Sequence, residues 1–303
     1  MSHEAWALRG DLLDFTGLPA WGDLQPKVLR WRPAHWLLVR QGRIEAVQAE
    51  PPGPEYRRVD HGGRLVLPGF IDTHVHSPQI DVLASYGTEL LDWLESHTFP
   101  AEARYADAAW AQRGAQRFVR ALLSHGTTSA LVFPTVHEQA TDAFFAAAHA
   151  QGMRVGAGKI LMDRNVPADL QDDVDGAEQA CRRLIARWHG SGRCTYAVTP
   201  RFAPTSTPAQ LKMAANLLRE DPTLLMQTHV AENQAEVQWV RELFPQARSY
   251  LDVYAQLGLL TERSVLAHGI WLDETDRALL RDSGSTIAHC PTSNLFLGSG
   301  LCD

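Results

Sequence analysis

What most constrains this chain is a rhythm that begins at Leu65. Strand-like runs fall at 65–76, 127–134, 153–162, 194–202, 223–231, 264–271 and 285–291, with helical stretches between most of them. In one such stretch, "AWAQRGAQRFVRALLSHG", Ala115, Phe118, Val119 and Leu122 follow helical spacing and Gly126 suits a C-terminal stop. Seven strand–helix units predict an α/β fold, a parallel sheet with helices outside it. An eighth strand would close a (β/α)8 barrel, and the run at 285–291 is the last in the sequence. Before Leu65 the pattern differs. "AWALRGDLLDF" and "HWLLVRQGRIEAVQ" alternate with turns rich in Pro and Gly, such as "QAEPPGPEYR". The predicted division is a small β-sandwich-like domain over 1–64 and an incomplete barrel over 65–303.

Composition narrows the function classes. The chain is 45% hydrophobic and 21% charged, as a globular protein is. Its formal charge is −7 and no run of Lys or Arg stands out, which argues against a nucleic-acid partner. No apolar run approaches the roughly 20 residues that span a bilayer. "MSHEAWALRGDLLDF" carries charges where a signal peptide needs an apolar stretch, so the expectation is a cytoplasmic protein with no membrane partner. Cys181, Cys194, Cys290 and Cys302 form no C-x-x-C pair and read as reduced thiols. That absence also removes the cytidine-deaminase type of zinc site, which needs H-x-E with P-C-x-x-C.

The first barrel strand stops at two histidines. Residues i and i+2 of a strand share a face, so His74 and His76 project together at the rim where barrel enzymes keep their chemistry. "LMQTHVAEN" ends the fifth strand with His229 and carries Glu232 three residues on, and "SVLAHGIWL" places His268 within the sixth. A borderline-soft divalent ion such as Zn²⁺ would gather these imidazoles, since an open site needs about three protein ligands plus water. The other nine histidines, His3, His35, His61, His97, His125, His137, His149, His189 and His289, read as surface or packing residues, with His289 held open because it lies near the seventh strand's end.

In this order and spacing, "PGFIDTHVHSPQ", "TPRF", "HVAEN", "LAHG" and "IAHCPTSN" resemble the amidohydrolase superfamily, and "LLDWLESHTFPAEARYAD" with "TPRF" is similar to the guanine deaminases within it. The resemblance implies a TIM-like metal-dependent hydrolase barrel. In it His74, His76 and His229 would bind one Zn²⁺ per chain, and His268 would bind the metal or hydrogen-bond its water. It further implies that Gln79, Arg201 and Phe202 contact the purine beside His229 and Glu232, and that Glu232, with His268, is catalytic as the proton shuttle. The implied reaction is hydrolysis of guanine to xanthine and ammonia, by a homodimer in the full-length form. The residue types suit these roles: Arg201 offers a rigid fork of donors for a ring carbonyl, Gln79 an amide that donates and accepts, and Phe202 a flat apolar face. The alternatives are a surface ion-pair partner for Arg201, a core position for Phe202, and a helix N-terminal carboxylate for Glu232.

Two signals are discounted. "VGAGK" around Lys159 lacks the full phosphate-loop pattern. Some relatives hold two metals through a carboxylated lysine on the fourth strand, whereas this one ends in "TPRF". Members of the family also continue past the position of Asp303 with an eighth strand that ends in a metal-binding aspartate. The expectation for residues 1–303 alone is therefore weak zinc retention and no turnover. The alternatives are an aminohydrolase acting on another purine or triazine ring, or a non-catalytic truncated fragment.

Overall fold

The computed structural model describes residues 5–18, 27–87 and 89–302, and the chain divides into two compact units, Met1–Gly69 and Phe70–Asp303. The first unit is a four-stranded sheet of β1 (Ala5–Phe15), β2 (Leu29–Arg40), β3 (Arg43–Gln48) and β4 (Tyr56–Val66), in the order β3-β2-β1-β4. Gln41 and Gly42 both have positive φ, at 53° and 72°, as the tight turn joining β2 to β3 demands. Ala5 and Ala7 of β1 share a face with Trp36 and Leu38 of β2, and together with Tyr56 they make this unit's core.

The second unit holds β5 (Phe70–His76), β6 (Thr127–Phe133), β7 (Arg154–Ala157), β8 (Ile160–Leu161), β9 (Cys194–Pro200), β10 (Leu225–Val230), β11 (Ser264–His268) and β12 (Thr286–Ala288). Seven of them run parallel in the order β5-β6-β7-β9-β10-β11-β12, and β8 pairs with β9 off that path. The result is a near-closed barrel of the (β/α)8 kind. The strands β9, β10 and β11 are buried almost throughout, as parallel strands covered on both faces are. Val132, Val155, Val198, Met226 and Leu266 pack with helix residues such as Phe144, Phe145, Leu211 and Leu251. The helix Ala108–Ser124 buries Ala115, Phe118 and Val119, and Asp107 caps it by accepting from the Trp110 amide at 2.6 Å. Leu122, expected on the same face, is partly buried.

The strands are shorter than the runs read from the sequence, and three of the differences have a local cause. The run at 65–76 divides around Pro68 and Gly69: Leu65 and Val66 pair with β1, and the barrel strand starts at Phe70. The run at 153–162 is interrupted by Gly158 and Lys159, where the backbone passes close to the Ala197 carbonyl. The run at 285–291 shortens because Pro291 begins the helix Pro291–Phe296. Lys159, discounted as a phosphate-loop residue, is buried and donates to Asp172 at 2.5 Å. Among the described residues no helix is long and apolar enough to cross a membrane, and Cys181, Cys194 and Cys290 are free thiols.

Candidate active site

The pleat of β5 puts His74 and His76 on one face, with ring centroids 5.1 Å apart. β10 brings His229 to 4.7 Å from His74, and the adjacent β11 ends in His268, stacked on His229 at 5.5 Å. Phe133, the last residue of β6, lies against His74, His76 and His229 at 4.7–4.9 Å and fixes the rings from below. No sequence motif marked it, because an apolar residue at the end of an apolar strand carries no signal.

Hydrogen bonds decide which nitrogens are free. His229 Nδ1 donates to the Arg201 carbonyl at 2.6 Å, which leaves the lone pair on Nε2. That Nε2 lies 3.0 Å from His76 Nε2. Two imidazole nitrogens on one tetrahedral zinc would stand about 3.3 Å apart. Burial, the largest cause, holds His74, His76 and His229 well below the usual histidine range, so their lone pairs are unprotonated at neutral pH. His76 Nδ1 is buried with no partner among the described residues. One ligand atom from each of His74, His76 and His229 falls within a common 4.8 Å, and a second such group joins His74, His268 and Cys290. This donor set fits a divalent ion that favours imidazole.

His268 is held differently. Its Nδ1 donates to Asn294 Oδ1 at 2.7 Å, and its Nε2 faces Glu232 Oε2 at 3.1 Å. Burial, the largest cause, pushes the Glu232 carboxyl up to about 8, so it can exchange a proton near neutral pH. The Ser299 hydroxyl reaches Glu232 Oε1 at 3.4 Å.

A cavity of about 780 Å³ opens above the histidines, and Gln79, Arg201, Phe202 and Glu232 all line it together with His74, His76, His229 and His268. Every residue singled out from the sequence therefore meets in one place. Gln79 sits on the short turn Ser77–Asp81 that follows β5. Phe202 is buried with Leu90, Leu94 and Phe99, edge-on to Trp239 at 6.4 Å. Arg201 is buried against Glu102, a partner that sequence reasoning missed although "TFPAE" contains it. His289, directly after β12, and His125 also line the cavity, the latter against expectation. His3 lies outside the described residues.

Residues 65–303 match the model of the amidohydrolase family. The chain is 45% identical to a guanine deaminase of Escherichia coli over 99% of its length, covering 69% of that protein. It is 47% identical to a probable guanine deaminase of Deinococcus radiodurans over 85% of its length, and there it spans only 58% of the relative. Among solved structures, a guanine deaminase from C. acetobutylicum with guanine bound in its active site superposes with a TM-score of 0.89 at 27% identity, covering 98% of this chain and 70% of that one.

Proposed function

The chain belongs to the amidohydrolase family, and from that premise we propose that it hydrolyses guanine to xanthine and ammonia, with one Zn²⁺ held by His74, His76 and His229. The observation that carries the substrate is that Arg201 and Phe202 line the same cavity as the histidines. A guanidinium suits the ring oxo group, and an aromatic face suits the purine plane. Gln79 can donate and accept along the same edge.

Zn²⁺ in such a site would supply Lewis acidity, making water acidic enough to act as nucleophile at neutral pH. The protein's own residues handle the protons. Glu232 accepts one from the attacking water through Oε2 and delivers it to the ring nitrogen N3 as C2 becomes tetrahedral. Glu232 then takes the remaining proton from the C2 hydroxyl and passes it to the amino nitrogen, so ammonia leaves as the C2–N bond breaks and the C2=O bond forms. One carboxyl serves as base and then as acid because each transfer restores the state the next one needs, and a pKa raised towards neutrality suits both directions. His268, anchored by Asn294, keeps Glu232 aimed at the reacting centre.

The experiment uses the purified full-length protein, stripped of metal and reloaded with Zn²⁺, with guanine loss followed by ultraviolet absorbance and ammonia by a coupled assay. Guanine turnover restored by zinc is the expected result. Faster turnover of another purine or of a triazine, or no dependence on metal, would overturn the reading.

A further inference from the structure

Glu102 takes no part in the reaction just described, yet it is the partner of the residue that would read the substrate. It stands in the short helix Phe99–Ala103, 99 residues before Arg201, and both side chains are almost completely buried, at 0% and 2% exposure. Arg201 Nη1 donates to both carboxylate oxygens, at 2.8 and 2.9 Å. Those are the only protein acceptors the Arg201 side chain meets among the described residues, so Nε and Nη2 stay available to a ligand. A protonated carboxyl would have to aim its O–H at a group that has no lone pair, so the geometry is that of an ion pair. The Phe99 ring flanks the guanidinium, 5.3 Å away. Burial, the largest cause, raises the Glu102 carboxyl above its ordinary value, and Arg201 offsets only part of that rise.

A buried ion pair is a poor source of stability compared with apolar packing of the same volume. Its value here lies in the cavity. The Arg201 charge is felt by His74, His76, His229 and Glu232. Left uncompensated in a low-dielectric pocket, it would attract any anionic ring strongly. Xanthine loses a ring proton more readily than guanine does, so the product is the anion the site would hold.

We propose that Glu102 is a specificity-determining residue: by cancelling the guanidinium charge it makes Arg201 a donor for a neutral ring oxo group and lets the deprotonated product leave. The inference rests on the reading of Arg201 as the oxo-binding residue. It also assigns a purpose to the segment Leu90–Ala106, whose succession of short helical turns brings Glu102 across to the end of β9.

The test uses full-length wild type, Glu102→Gln and the double variant Glu102→Gln/Arg201→Gln, with xanthine as inhibitor at one pH below and one above its ring pKa. Glu102→Gln keeps the shape and leaves a lone cation. It should bind anionic xanthine at least about tenfold tighter than wild type, a change of about 1.4 kcal/mol, with neutral xanthine little affected. The double variant should lose that gain. Equal affinity changes at both pH values overturn the proposal, because a merely structural role would not tell anion from neutral ring. If Glu102→Gln does not fold, wild type decides: tighter binding of the anion than of neutral xanthine overturns the idea, and the reverse order supports it. Guanine turnover by wild type is a separate arm. Its absence would sink the substrate reading, whereas turnover with no shift in anion preference would sink only the role of Glu102.

Discussion

Ala231 stands at φ +47°, in the left-handed region that a residue with a Cβ occupies at a cost of order 1–3 kcal/mol. It joins His229 to Glu232, and its carbonyl accepts from the amides of Ile270 and Trp271 at 3.0 and 3.1 Å, which hold the turn in place. This turn sinks Glu232 to 3% exposure and so raises its pKa. Glu232→Gln preserves the shape and removes the proton acceptor. Metal content by atomic absorption should stay near wild type while turnover falls by about 10² to 10⁴. A variant that keeps more than about a tenth of the rate would move the shuttle to another residue. Arg201 makes a second test at this scale. Arg201→Lys keeps the charge and loses the planar fork, so it should lower kcat/KM for guanine on the order of 10². Adenine, which lacks the oxo group, should be a poor substrate for wild type, and comparable rates on the two bases would defeat the claim.

The helix Gln234–Leu243 begins with an Asn233 cap, and its Glu236 reaches back to accept from the amides of Glu232 and Asn233 at 2.9 and 3.2 Å. The other Glu236 oxygen accepts from the Tyr250 hydroxyl at 2.7 Å. The side chain is fully buried, and burial first, then the neighbouring Glu232, raises its pKa from 4.5 to about 7, with the hydrogen bonds from Tyr250 and the Asn233 amide pulling the other way. The folded state therefore keeps a proton between 4.5 and about 7 that the unfolded chain has released, so stability is greatest below this window and falls as pH rises through it. Glu236→Gln should flatten that fall. Thermal unfolding of both proteins on either side of the window measures it, and parallel curves would show that the carboxyl contributes nothing to the pH dependence. Gly158 offers a cleaner packing test. A Cβ there would stand 1.7 Å from the Ala197 carbonyl oxygen, with β9 unable to yield, so Gly158→Ala should cost about 3 kcal/mol or more in a urea titration.

At the scale of the whole molecule, the parts legible in the sequence were those with local signals. The period-2 pair His74 and His76, and the strand-terminal His229 and His268, announce themselves because a polar residue ends an apolar run. Arg201, Phe202 and Glu232 follow strand ends closely enough to be placed at the same rim. Glu102, Asn294 and Phe133 were not legible as site residues, since their significance exists only after the chain closes: Glu102 meets Arg201 from 99 residues away, and Asn294 meets His268 from 26. The same closure governs the last prediction. His76 and His229 are 153 residues apart in sequence, and their ring nitrogens meet at 3.0 Å. An ion bound there would tie β5 to β10, with His268 on β11 beside it, and binding only to the folded state would stabilise the barrel by RT ln(1 + [L]/Kd), about 4 kcal/mol at a thousandfold excess over Kd. Among the described residues, no group of candidate metal ligands lies in the sheet of β1 to β4. Removing the metal with a chelator should therefore raise amide hydrogen exchange in β5, β10 and β11 and leave exchange in β1 to β4 unchanged. Exchange that rises equally in both units, or in neither, would show that the histidines do not hold a structural cross-link.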